Sequence, residues 1–126
     1  MAGLAAGTTA HTVNCWGKAL DPPLSEVDRA LLWFDKIIAN PTNPNFPPTA
    51  VANAHSCSSQ YCQHKTSVRF CNDDNKVRYM RLQEIRNSVE VLVSTCQANC
   101  RGKRVAGGVI DHPDHWNVIV QADDNC

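Results

Sequence analysis

Cys57–Arg81 reads CSSQYCQHKTSVRFCNDDNKVRYMR, and its interpretation decides the fold. Three cysteines and five cations (Lys65, Arg69, Lys76, Arg78, Arg81) fall within it. Ser67–Asn72 and Lys76–Leu82 are two strand-like runs on either side of the polar turn Asp73-Asp74-Asn75, which predicts a β-hairpin. In the first run Val68 and Phe70 alternate with Arg69, so Arg69 is expected on the exposed face. In the second, Val77 and Tyr79 are expected to face the core, with Lys76 and Arg78 exposed. The segment then reads as a basic sheet edge fastened by cysteines, with no catalytic centre evident.

The flanking chain supplies the partners of such a sheet. Downstream, Leu82, Ile85, Val89, Leu92 and Cys96 step by three and four, an amphipathic helix over 82–96. Val89, Val91 and Val93 lower its intrinsic propensity, so packing must hold it. Cys96 lies on the buried stripe, placed for a disulfide to a strand beneath. Val105–Ile110, with Gly107-Gly108, is a short strand or loop. His115–Gln121 alternates cleanly and is the best strand of the chain. Upstream, His11–Trp16 is a short strand, and Ser25 opens a helix as N-cap with Asp28 in a capping-box position. Val27, Leu31, Phe34 and Ile38 form its apolar stripe, widened by Ala30, Trp33 and Ile37. Trp33 and Phe34 at this spacing are core residues. Pro41 stops this helix at Asn40. Residues 41–50 carry four prolines and form an irregular connection; Val51–Cys57 stays open between a strand and a helical turn. Residues 1–9 are expected to be flexible, and 10–126 to form one domain.

Two amphipathic helices over four or five antiparallel strands make an α+β two-layer sandwich, stapled by disulfides. Seven cysteines in 126 residues fit a secreted disulfide scaffold better than a cytosolic protein or a structural metal site. One thiol must be left over within the chain. MAGLAAGTTA has no basic start or apolar run and reads as the start of a mature form. No apolar stretch is long enough to cross a bilayer, so no membrane insertion is expected. The net charge of zero hides an asymmetry, because residues 63–104 carry +5 and the remainder −5. Such polarity favours an oriented encounter with an anionic partner.

Asn14-Cys15-Trp16-Gly17, Cys62-x8-Cys71 with Arg69 two before the second cysteine, the helix-ending Cys96-x3-Cys100 and the final strand before Asn125-Cys126 form an ordered set. This set resembles the killer-toxin-four-like family, the virally encoded smut-fungus toxin and its fungal and moss relatives. The resemblance covers most of residues 12–126. It implies an antiparallel sheet under two helices, secretion, and non-enzymatic growth inhibition of competing fungi or plant cells through calcium uptake. The partner implied is a calcium channel of the target cell. Arg69 falls on the position tied to toxicity, with Lys65, Lys76 and Arg78 as neighbouring contacts. Several family cysteines are missing, and the segment 41–50 looks inserted. By the same resemblance Cys15 pairs with Cys96 and Cys71 with Cys126, while two of Cys57, Cys62 and Cys100 join.

Two other chemistries have residue types to draw on. Asp111-His112-x-Asp114-His115 has metal-ligand residue types, yet a Pro-bearing turn of this kind reads as a solvated loop, so no metal or other cofactor is expected. A ribonuclease-like effector could draw on His11, His55, His64, His112 and His115 with Glu84 or Glu90, though no spacing unites them. A secreted binding module for an anionic ligand is the other alternative. No nucleic-acid partner is expected, because the aromatics alternate away from the cations. The chain reads as a monomer.

Overall fold

In the computed structural model, which describes residues 11–45 and 47–126, two helices cover one face of a five-stranded sheet. The expected flexible stretch 1–9 lies outside the described residues. In chain order the elements are β1 (Thr12–Cys15), a 3-10 turn (Lys18–Leu20), α1 (Leu24–Ile38), β2 (Thr49–Ala52), β3 (Ser56–Gln63) and β4 (Thr66–Asn72). There follow β5 (Arg78–Arg81), α2 (Leu82–Cys96), β6 (Ala98–Cys100), β7 (Lys103–Val105), β8 (Gly108–His112) and β9 (Trp116–Ala122). The sheet runs β1-β8-β9-β4-β3 with antiparallel pairing throughout, and β2-β5 and β6-β7 are separate ribbons. This is the expected disulfide-stapled two-layer sandwich.

The helices follow their apolar periodicity. α2 buries Leu82, Ile85, Ser88, Val89, Leu92 and Cys96. α1 buries Val27, Ala30, Phe34 and Ile37, so its stripe is turned slightly and Leu31, Trp33 and Ile38 are only half-buried. Ser25 does not cap α1. The helix starts at Leu24, because the Pro23 carbonyl already accepts from the N–H groups of Glu26 (3.0 Å) and Val27 (3.2 Å). Beneath the helices lie Val68 and Phe70 of β4, Val118 and Val120 of β9 and Ile110 of β8, all inaccessible to solvent. Trp116 meets Phe70 edge-on at 5.9 Å.

Glycine is required where β8 enters the sheet. A Cβ on Gly107 would sit 2.9 Å from the Val120 carbonyl oxygen, and one on Gly108 would collide with the Asn14 carbonyl oxygen.

The expected hairpin around Asp73-Asp74-Asn75 does not form. β4 pairs with β3 and β9, whereas β5 pairs with β2, which resolves Val51 and Ala52 as strand. The hairpin that does form, β3–β4, closes through His64 and Lys65 with φ of +52° and +60°, the twist-matched two-residue turn. Asn72 diverts the chain after β4. Its buried amide donates to the carbonyls of Ala52 (3.2 Å), Asn53 (3.2 Å) and Lys76 (2.8 Å), and its Oδ1 accepts from Asp74 N–H (3.0 Å). The diversion reverses the parity expected of β5. Met80 and Arg78 lie opposite the buried Ala50 and Ala52, so Val77 and Tyr79 are turned out and are 45% and 69% exposed. Lys76 is exposed as expected, but Arg78 is half-buried.

The disulfides are Cys15–Cys96, Cys57–Cys71 and Cys62–Cys126, with Cys100 free. The first is the pairing the resemblance implies. The second and third replace Cys71–Cys126, and neither Cys57 nor Cys62 is unpaired. Register explains the exchange. Cys57 lies directly opposite Cys71 in the β3–β4 ladder, with Cα atoms 3.9 Å apart. Cys62 is at the far end of β3, where the tail is held by Asp123 N–H donating to the Lys65 carbonyl (2.9 Å). In the chain-entropy description, linking residues 81 and 64 apart contributes about 4–5 kcal/mol each, and the 14-residue link about 3 kcal/mol.

Replacing Asn72 by Ala strips several buried backbone groups of their partner at once. The expected loss is about 2–4 kcal/mol in urea unfolding. A loss well under 1 kcal/mol would contradict the diverting role of this amide.

Candidate functional site

The second face of the sheet carries no helix, and Arg69 stands near its middle. Alternation along β4 puts Val68 and Phe70 under the helices, and Ser67, Arg69 and Cys71 on the open side. Across the ladder Arg69 lies between Ser59 of β3 and Ile119 of β9, and Ile119 in turn lies beside Val109 of β8. Both β3 disulfides lie on this face. Cys71 is itself bonded to Cys57, and Ser67 stands opposite Cys62, which is bonded to Cys126. Arg69 is therefore framed along its own strand by the two bridges. It is half-buried, and its Nε is shut from solvent with no hydrogen-bond partner among the described residues. A guanidinium presents a planar fork suited to carboxylates.

The other expected contact residues divide. Lys65 is exposed at the β3–β4 turn, at the end of the face where Cys62 meets Cys126. Lys76 sits in the loop that Asn72 draws to the helix side, away from the open face. Arg78 is engaged: it lies 3.5 Å from both Asp74 and Asp114 and donates to the Asp114 carbonyl. Arg81 pairs with Glu84 (3.9 Å), and Arg86 with Asp35 (2.9 Å) and Glu90 (2.8 Å). The basic stretch of sequence is thus not a basic sheet edge. β4 is an inner strand, β5 lies outside the sheet, and several of the cations are neutralised.

The Asp/His turn is also dispersed. Asp111 is exposed, Asp114 faces Arg78, and His115 has a left-handed φ of +69°. His112 turns to the helix side, where its ring stacks on Trp116 at 3.8 Å and its Nε2 lies 2.9 Å from Ser88 Oγ. Ser88 Oγ also lies 3.1 Å from the Glu84 carbonyl, so the hydroxyl bridges the helix backbone and the imidazole. Among the described residues no group of three or more His, Cys, Asp or Glu could hold a metal ion. His11, His112 and Glu84 do converge, with Asn87, Ser88 and Trp116, on a hollow of about 210 Å³, and the two imidazoles are 6.0 Å apart. His55, His64, His115 and Glu90 do not line it. Ser88 was overlooked in the sequence. Its signal was a polar residue on the apolar stripe between Ile85 and Leu92.

Comparison with known proteins returned no matching family model, no matching curated protein and no matching solved structure.

Burial, partial for His112 and nearly complete for Asp21, shifts the titration of two groups. Burial, reinforced by His11 and opposed by Asp114, Glu84 and Asp111, holds the His112 pKa below its ordinary 6.5. The unfolded chain then binds the proton more readily, so stability falls as pH drops below about 6.5. His112→Gln should flatten that slope in urea unfolding between about pH 7 and pH 5; an unchanged slope would contradict it. Asp21 behaves oppositely. It is 7% exposed, its Oδ1 has no hydrogen-bond partner among the described residues, and burial raises its pKa from 3.8 to about 6. The folded state keeps the proton, so this carboxyl costs stability as pH rises through about 4 to 6. Asp21→Asn should raise the melting temperature at neutral pH and change it little near pH 4. The same shift at both pH values would refute the assignment.

Proposed function

We propose that this chain is a secreted, non-enzymatic inhibitor of the killer-toxin-four-like kind. It acts on competing fungi or plant cells through a calcium channel or calcium-uptake protein of the target, with Arg69 as the principal contact. The observation that carries the reading is Arg69, half-buried on the helix-free face, framed by Cys57–Cys71 and Cys62–Cys126 and in no ion pair among the described residues. A strand held by ladders on both sides and stapled by a disulfide loses little backbone entropy on docking, which suits a binding inhibitor. Three disulfides and the two-layer sandwich agree with the extracellular scaffold that the resemblance implies. Lys65 lies close enough to the frame to extend the contact, whereas Arg78 is tied to Asp74 and Asp114 and contributes less.

One observation favours a second reading, a ribonuclease-like effector. His11 and His112 face each other across a hollow with Glu84 on its wall, an arrangement compatible with acid–base chemistry. Among the described residues no Lys or Arg lines that hollow to neutralise a phosphate, and Ser88 occupies His112 Nε2, so this reading ranks second.

The test is growth inhibition and calcium uptake in target cells with wild type and Arg69→Ala. The variant should lose roughly 10- to 30-fold in potency, the effect of removing one arginine anchor from an interface. Added calcium should relieve inhibition by the wild type. Equal potency of the two proteins would refute the role of Arg69, and RNA cleavage abolished by His112→Gln would favour the second reading.

A further inference from the structure

We infer that the β6–β7 hairpin and the 3-10 turn beside it form a basic, leucine-bearing patch that docks on an anionic lipid surface. The inference stands apart from the Arg69 reading and uses other residues.

The Cys15–Cys96 disulfide roots both parts of the patch. The chain leaving Cys15 makes the turn with Lys18 and Leu20, and the chain leaving Cys96 makes β6, which lies against that turn. Beyond β7, Ala106 N–H donates to the Pro22 carbonyl (3.1 Å), Val105 bridges to Pro23, and Trp16 N–H donates to the Gly107 carbonyl (3.1 Å). Turn and hairpin are thereby locked side by side. Arg101 and Gly102, with φ of +52° and +80°, make a tight two-residue tip.

The assembled patch exposes Lys18, Arg101, Lys103 and Arg104, together with Leu20 at 58% exposure. No ion pair among the described residues involves these four cations. Arg104 donates only to neutral oxygens, Asn99 Oδ1 (3.2 Å) and Gln97 Oε1 (2.7 Å), so its charge stays uncompensated. Of the acids beside the patch, Asp21 follows Leu20 directly but is buried, and Glu26 and Asp28 share a cleft with Lys103 and Arg104, with Glu26 already facing Arg29 at 3.7 Å.

Clustered cations are drawn to anionic headgroups, and an exposed aliphatic side chain among them can enter the interface. A single-stranded nucleic acid fits less well, because such sites stack bases on aromatic rings. The aromatic nearest this patch, Trp16, is half-buried, with its indole N–H committed to the Val120 carbonyl (2.9 Å).

The test is co-sedimentation of the intact, oxidised protein with phosphatidylcholine vesicles, with and without phosphatidylserine, at low and high salt. Binding should need phosphatidylserine and weaken with salt. Each cation contributes roughly five-fold, so Arg101→Ala, Lys103→Ala and Arg104→Ala combined should lower partitioning on the order of 100-fold. Leu20→Ser should weaken it several-fold, while Lys36→Ala and Arg69→Ala should leave it unchanged. Near-ultraviolet circular dichroism confirms that each variant is folded. The inference is overturned if plain phosphatidylcholine binds equally, if the triple variant binds like wild type, or if Arg69→Ala abolishes binding. It is also overturned if the protein binds single-stranded DNA but not the vesicles.

Discussion

The pairing of β4 on both sides is the constraint on which the rest of this structure depends. An inner strand has its backbone groups satisfied by its neighbours, so its residues must alternate strictly between the two faces of the sheet. Burial of Val68 and Phe70 under the helices therefore commits Ser67, Arg69 and Cys71 to the open face. A slip of one residue would put a guanidinium into the core at a cost no local contact could offset. The hydrophobic core and the open face are in this sense one choice of register.

The disulfides extend that choice outward. Cys57–Cys71 and Cys62–Cys126 tie the edge strand β3 and the C-terminal tail to β4 on the side without helices. Cys15–Cys96 works on the opposite side, fixing the short edge strand β1, of which only Val13 packs against the core, to the end of α2. Each bridge secures a segment at the margin of the sheet, an edge strand or the tail. Two chemically distinct surfaces result, one around Arg69 and one around the basic hairpin.

Much of this was legible in the sequence, for reasons that can be named. α2 and β9 carry long apolar periodicities that a single face explains, and the parity of Arg69 follows from Val68 and Phe70 whichever strands flank β4. What could not be read depended on partners distant in sequence. Asp73-Asp74-Asn75 has the composition of a hairpin turn, and nothing local reveals that Asn72 bonds to Ala52 and Asn53 some twenty residues earlier. Once β5 joins β2, its parity inverts and Tyr79 faces out. The true hairpin turn, His64-Lys65, lacks the Asn-Gly signature that marks such turns. Cysteine pairing likewise depends on cross-strand register, which spacing does not encode. The charge asymmetry of residues 63–104 does not form one surface, since Arg78, Arg81 and Arg86 pair with nearby carboxylates while Arg101, Lys103 and Arg104 stand apart on the β6–β7 hairpin.

The frame around Arg69 is the central claim, and the cysteine connectivity tests it most directly. Native protein, alkylated before digestion and cleaved after Tyr61, Lys65 and Arg69 without reduction, separates the cysteines of β3 from each other and from Cys71. Tandem mass spectrometry of the linked peptides should then join Cys57 to Cys71, Cys62 to Cys126 and Cys15 to Cys96, with the alkyl group on Cys100. A Cys71–Cys126 link would dismantle the frame and contradict this account.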